Sequence, residues 1–250
     1  MSARTRSAVA FAVTAALALT GLLVPRPAGA AAPVLGRQVI GFSVRHRPIV
    51  AYHLGGAHER PVVIIGQMHG NETAGVRLAN SIVRGSAAVR GIDLWVIPTM
   101  NPDGYAAHRR QNAHGVDLNR NFPHWWTRLT GANYSGPAPR SEPETRAVFA
   151  FLRRLRPKYV VSIHQPLHGV DTTDGGAVDP AFRNRLARGL GLPLKPFRCW
   201  SVCHGSMTGW YTARHFGVAI TVEFGAHPRP SYLTGRARRA VVAALGGRFA

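Results

Sequence analysis

The sequence predicts an α/β domain built on a central mixed, mostly parallel sheet flanked by helices. Three observations carry this. Short strand-type runs recur at Val62–Ile65, Asp93–Ile97, Tyr159–Ile163 and Val218–Phe224. Segments with apolar residues at helical spacing alternate with them, as a sheet covered by helices requires. His69, His164 and Glu223 fall at or just past strand ends, which is where ligands gather in such folds.

Taken in order, the first thirty residues read as a signal peptide. Arg4 and Arg6 give a positive start, Ala8 to Val24 is an uncharged apolar run, and Ala28-Gly29-Ala30 is a small-residue cleavage site. An uncleaved anchor is the alternative, since a run of about 17 residues is near the lower limit for spanning a bilayer. Cleavage leaves residues 31–250 as a single exported domain, with no later segment apolar enough to span. Gln38–Ser43 and Pro48–Gly55 predict a hairpin around the basic turn at 45–47. A helix is expected from about Glu72 to Val83. Residues 99–140 form a long polar stretch, a length that in a compact domain points to function. Ser141 as N-cap, Pro143 in the first turn and Glu144 three residues after the cap predict a capping box opening a helix to about Leu155. Helices over Asp179–Leu190 and Leu233–Leu245 complete the chain.

The formal charge is +20, and losing Arg4, Arg6 and Arg26 with no acidic residue leaves +17. Such a charge attracts polyanions. The arginines are scattered rather than interleaved with aromatics and no nucleic-acid motif is present, so no nucleic-acid partner is expected. An anionic cell wall or acidic peptides suit an exported chain better. All basic residues but Lys158 and Lys195 are Arg, so a compositional bias without function is an equally simple reading. Cys199 and Cys203, the two cysteines, suit a disulfide stapling a short loop in an exported chain, with metal ligation the alternative.

The stretch His69-Gly70-Asn71-Glu72 lies where a strand gives way to a helix. With His164, which follows a second strand, it offers two imidazoles and a carboxylate. That set suits zinc with a position left open for water, the arrangement of a hydrolase. Glu223 closing the apolar run Val218–Val222 is a partly buried carboxylate, costly unless used or paired with an arginine.

Six segments then occur together and in order: His69–Glu72, Asn101-Pro102-Asp103-Gly104, Asp117-Leu118-Asn119-Arg120-Asn121-Phe122-Pro123, Ser141-Glu142-Pro143-Glu144-Thr145, Ser162-Ile163-His164 and Thr221-Val222-Glu223. Together they resemble the M14 zinc carboxypeptidases over essentially all of the mature chain. The segments Ser162–Leu167 and Gly205–Met207 are most similar to the murein peptide amidase branch, whose members cut the bond between D-glutamate and diaminopimelate. The resemblance implies one zinc ion per chain held by His69, Glu72 and His164. It implies Glu223 as general base, Arg110 as the oxyanion-stabilising arginine with adjacent Arg109 as the fallback, and Asn119 and Arg120 as the grip on the substrate's terminal carboxylate. Asp117 matches the carboxylate that orients the first zinc histidine. Asn101–Gly104 reads as turn chemistry only.

Two departures from the digestive carboxypeptidases bear on the substrate. Their substrate-covering tyrosine falls at Trp200, with Tyr211 and Tyr232 as substitutes. Their specificity region falls at Ser206–Thr208, which holds no carboxylate. The function expected is therefore a secreted or wall-associated zinc metallopeptidase acting on murein peptides. The alternatives are a general secreted carboxypeptidase, an N-acyl-amino-acid hydrolase, and a catalytically silent wall-binding module.

Overall fold

The computed structural model describes residues 34–250 except 57–59, 86, 174–176 and 198–202. The expected signal peptide, Trp200 and Cys199 lie outside the described residues. Among those described, no helix is long and apolar enough to cross a membrane.

An eight-stranded sheet organises the domain, in the order β1-β2-β5-β3-β6-β9-β7-β8. Strands β1 (Gly36–Phe42) and β2 (Pro48–Gly55) form the expected antiparallel hairpin, and β2 continues antiparallel onto β5 (Asp93–Ile97). The centre is parallel: β5 pairs with β3 (Val62–Ile65), β3 with β6 (Tyr159–His164), and β6 with β9 (Val218–Gly225). Beyond β9 the direction reverses with β7 (Leu167–Asp171), which pairs in parallel with β8 (Leu194–Lys195). The edge strand β8 and the two-residue pair β4 (Val89–Arg90) and β10 (Arg248–Phe249) are too short to leave a periodic signal.

Helices cover both faces, which is why the central strands are apolar throughout rather than alternating. Val62 and Ile64 of β3 join the core under α1 (Ala74–Val83), α4 (Pro180–Leu190) and the C-terminal helix, α6. Val63 and Ile65 join the opposite core with α3 (Pro143–Leu155) and α5 (Met207–Ala213). The C-terminal helix begins at Pro230, passes through a π-helical segment at Leu233–Ala237 and ends at Ala244.

Two expected helix starts differ. Helix α1 begins at Ala74 after Thr73, so Glu72 stands in the turn before it, not in the helix. The capping box does not form. Glu142 occupies the N-cap of α3 without a side-chain cap bond, and the Ser141 hydroxyl donates instead to Glu142 Oε1 at 2.7 Å. Glu144 is drawn away by long-range donors, the Val44 N–H at 3.1 Å and the Asn112 amide at 3.0 Å. Tertiary bonding to Val44 and Asn112 thus outcompetes the local cap. That stretch is loop apart from short helical turns at Pro102–Ala106 (α2), Leu118–Arg120 and Gly131–Asn133.

Candidate active site

The site lies where the carboxyl ends of β3, β6 and β9 meet. Parallel pairing sets His164 beside Glu223 at the ends of β6 and β9. Past β3 the chain turns through Gly66, which lies so close to α1 that a Cβ on Gly75 would stand 1.6 Å from the Gly66 carbonyl oxygen. This close approach, open only to glycine, draws the start of α1 and the preceding Glu72 back over the strand end. Gly70 is pinned in the same way, since a Cβ there would lie 2.0 Å from the Gly104 carbonyl carbon.

His69, Glu72 and His164 converge, all nearly buried, and each offers a ligand atom within 4.8 Å of the others. His69 Nδ1 is 2.7 Å from Glu72 Oε1, His164 Nδ1 is 3.0 Å from Glu72 Oε2, and the two Nδ1 atoms are 3.2 Å apart. The far nitrogens are committed elsewhere. His69 Nε2 meets Asp117 Oδ1 at 3.0 Å and His164 Nε2 meets Ser162 Oγ at 3.0 Å. An Nε2–H held by a carboxylate leaves the His69 Nδ1 lone pair for a metal, the tautomer such ligands need. Two imidazoles and a carboxylate fit a zinc-type divalent ion. Among the described residues no other cluster of three His, Cys, Asp or Glu side chains has this geometry.

Burial opposes charge on His69. The charge and hydrogen bond of Asp117, joined by Glu72, outweigh burial and lift the imidazole to about 9. Burial likewise pushes Glu72 up, but His164 and His69 overcome it and bring the carboxyl down to about 2. Asp117, also opposed by burial, is held low by His69, Arg110 and Arg120.

Glu223 differs. Burial raises its pKa, opposed only in part by His164 and by the Leu167 N–H, which donates to Oε2 at 3.2 Å. Among the described residues no arginine or lysine pairs with it, so the structural ion pair entertained from the sequence is absent. Arg110 faces the centre. Its Nε and Nη2 donate to Asp117 Oδ2 at 3.2 and 2.8 Å, and its Nη1 lies 3.4 Å from Glu72 Oε1. Arg109 lines a different cavity, beside Arg45 and Asp103. Asp117 caps the turn carrying Asn119 and Arg120, both of which line the same cavity as Glu223 and the His-Glu-His cluster. That cavity has a volume of about 230 Å³. Asn119 is fixed by accepting the Met207 N–H at 3.0 Å, and Arg120 Nη1 donates to the Asn119 carbonyl at 2.7 Å.

The family resemblance is borne out by comparison. Residues 30–168 match the Peptidase M14 model, described as zinc carboxypeptidase. The chain belongs to the zinc carboxypeptidase family. Murein peptide amidase A of Vibrio campbellii is 32% identical over 227 residues, which span 82% of this chain and 85% of that protein. The same-named protein of Escherichia coli K12 is 33% identical over 151 residues, covering 53% of this chain and 60% of its own length. The crystal structure of the murein-tripeptide amidase of Escherichia coli O157 superposes with a TM-score of 0.68 at 28% identity, covering 88% of this chain and 96% of that one. As a member of this zinc peptidase family, the chain is a hydrolytic enzyme, similar within it to the murein peptide amidases.

Several supports had no reading in the sequence. Asn101, taken as turn chemistry, donates to the carbonyls of Met68 and Arg110 at 3.1 and 3.3 Å and so ties the first ligand segment to the arginine loop. Gln67 holds the Gly70 and Glu72 carbonyls at 3.0 and 3.2 Å. The two-residue offset of Ser162 from His164, which puts both on one strand face, was the available clue to its role. Neither substitute tyrosine lines the cavity. The Tyr211 hydroxyl is buried against the Pro157 carbonyl at 2.6 Å and that of Tyr232 donates to Leu190 at 2.7 Å, so both are structural. Cys203 is not a free thiol, and it joins no metal-type cluster among the described residues.

Proposed function

We propose that this protein is an exported, zinc-dependent enzyme that hydrolyses an amide bond beside a free carboxylate, with murein peptide as its substrate class. The observation that carries the reading is that one small cavity gathers a metal-type donor set, an unpaired buried carboxylate and two arginines. His69 Nδ1, Glu72 and His164 Nδ1 would hold the ion. When bound, such an ion supplies Lewis acidity that polarises a carbonyl and acidifies water.

The protein's own groups do the rest. Glu223, with its pKa raised by burial, is suited to take a proton from the attacking water and deliver it to the nitrogen of the breaking C–N bond. The carbonyl oxygen gains negative charge as water adds. Arg110, held by two bonds to Asp117 with its Nη1 against His69 Nδ1 and Glu72 Oε1, borders the centre and is suited to meet that charge. Arg120 and Asn119 grip the terminal carboxylate, for which the planar guanidinium is a two-point partner. Murein peptide is favoured by the similarity to enzymes of that name over 85% of one of them, and by the exported character read from residues 1–30.

Product analysis by mass spectrometry tests this. The zinc-loaded protein is offered a murein tripeptide together with ordinary L-peptides. Release of diaminopimelate with the L-peptides intact is expected. Release of C-terminal residues from the L-peptides alone would replace the murein reading with a general carboxypeptidase.

A further inference from the structure

Positive charge is least balanced in the last third of the chain. Residues 180–250 hold ten arginines and one lysine but a single acidic residue, Glu223, which belongs to the catalytic cavity. Part of that excess borders a groove that leaves the cavity. Gln165, on the cavity wall, also lines a second hollow of about 390 Å³, with Arg77 of α1 and Arg229 just before the C-terminal helix. That hollow shares His227 and Pro228 with a third, of about 360 Å³, where Arg236 stands. The third shares Gly191 and Leu192 with a fourth, of about 530 Å³, bordered by Arg188 of α4. Beyond the catalytic cavity no aspartate or glutamate lines this track.

Three of its arginines have no task in the fold. Arg77, Arg188 and Arg229 are exposed, and their guanidiniums make no hydrogen bond or ion pair among the described residues. Arg236 differs, since its Nε donates to the Gly189 carbonyl at 3.0 Å and its Nη2 to that of Arg188 at 3.5 Å, closing the end of α4. Like charges set along one groove without counter-charges attract an anionic partner. A cation in each successive hollow suits a partner with an anion on every repeat. The guanidinium fork pairs two-pointed with phosphate oxygens. Phe224 is buried, and Tyr232 packs edge-on against it with its hydroxyl on the Leu190 carbonyl. The track therefore lacks the stacking platform that single-stranded nucleic acid uses.

We propose that this groove docks a phosphodiester-linked polymer without bases, held along Arg77, Arg229 and Arg188 beside the catalytic cavity. Docking there keeps the cavity at a polymer surface and raises the effective concentration of any peptide attached nearby. The inference lies beyond the proposed hydrolysis and does not depend on it.

The probe is a glycerol-phosphate oligomer, titrated against the protein by fluorescence anisotropy at several salt concentrations. Poly-L-glutamate and single-stranded oligothymidylate of matched charge are run beside it. Arg77→Gln, Arg188→Gln and Arg229→Gln are combined in one variant. A second combines Arg37→Gln, Arg84→Gln and Arg90→Gln, three exposed positions off the track, and so removes the same charge. The groove variant is expected to bind the oligomer at least tenfold more weakly. Its slope of log affinity against log salt should fall by about two, at roughly 0.7 per lost contact. The off-track variant should stay within threefold of wild type. Equal losses in the two variants would reduce the binding to net charge and overturn the inference, as would no binding of the oligomer by wild type. Tighter binding of oligothymidylate overturns it in favour of a nucleic acid, and tighter binding of poly-L-glutamate in favour of an acidic peptide. Binding is read without turnover, so an uncut murein tripeptide would remove the proposed hydrolysis and leave the groove standing.

Discussion

The two halves of the cavity are built in different ways. His164 and Glu223 sit on adjacent parallel strands, with His69 and Glu72 in the tight turn after a third, so the sheet's hydrogen bonds fix their spacing. Arg110, Asn119 and Arg120 come from the long 99–140 segment, which has almost no regular structure. Their positions depend on side-chain bonds, chiefly those of Asp117, which meets His69, the Asn119 N–H and Arg110 at once. The strand-borne half is rigid by construction, whereas the loop-borne half is rigid because one buried carboxylate is saturated. Asp117 is also where the two halves join, so its loss should be felt in both.

Four predictions sharpen or break this contrast. The largest effect belongs to Glu223→Gln, expected to lower kcat/KM by about 10³-fold while metal content is retained. Because burial raises the Glu223 pKa, wild-type kcat/KM should rise with pH through a value above the ordinary carboxylate range and then level off. The linkage has a definite sign. A carboxyl whose folded value is raised stabilises the fold fully only below its unfolded pKa, and that contribution is lost as pH rises through the folded value. Glu223→Gln should therefore melt no lower than wild type at pH 7 in a thermal scan. A lower melting temperature would show that the charge serves stability.

Next is Arg120→Ala, expected to cost roughly 10²-fold on substrates with a free terminal carboxylate. The same variant should act on C-terminally amidated substrates much as wild type does, and equal losses on both would remove the clamp. Asp117→Asn comes third, with metal affinity down by about 10- to 100-fold in a competition titration. It should also lower turnover at saturating metal, because Arg110 is released. A loss confined to metal affinity would mean that the loop half stands without Asp117. The smallest change is Ser162→Ala. Removing one neutral hydrogen bond from His164 should weaken metal binding by about fivefold, given roughly 1 kcal/mol per such bond.

The same division governs what was legible in the sequence. Strand-borne residues could be found from pattern alone, because an apolar run ending in His or Glu marks a functional position in an α/β sheet. The parallel core and most element boundaries followed from that periodicity. Arg110, Asn119 and Arg120 carried no such signal and were reachable only through the family's motif order. Asn101 and Gln67, whose bonds run to backbone carbonyls brought near by folding, were invisible as site residues. The capping-box expectation failed for a related reason, since Asn112 and Val44 are distant in sequence and claim Glu144 first.

The most direct test of the account is a crystal structure of the metal-loaded protein with a product amino acid, using data collected at the zinc absorption edge. A single anomalous peak bounded by His69 Nδ1, Glu72 and His164 Nδ1 is expected, with the product carboxylate against Arg120 and Asn119. A peak at any other site, or a carboxylate bound away from Arg120, would contradict the division between a strand-borne centre and a loop-borne clamp.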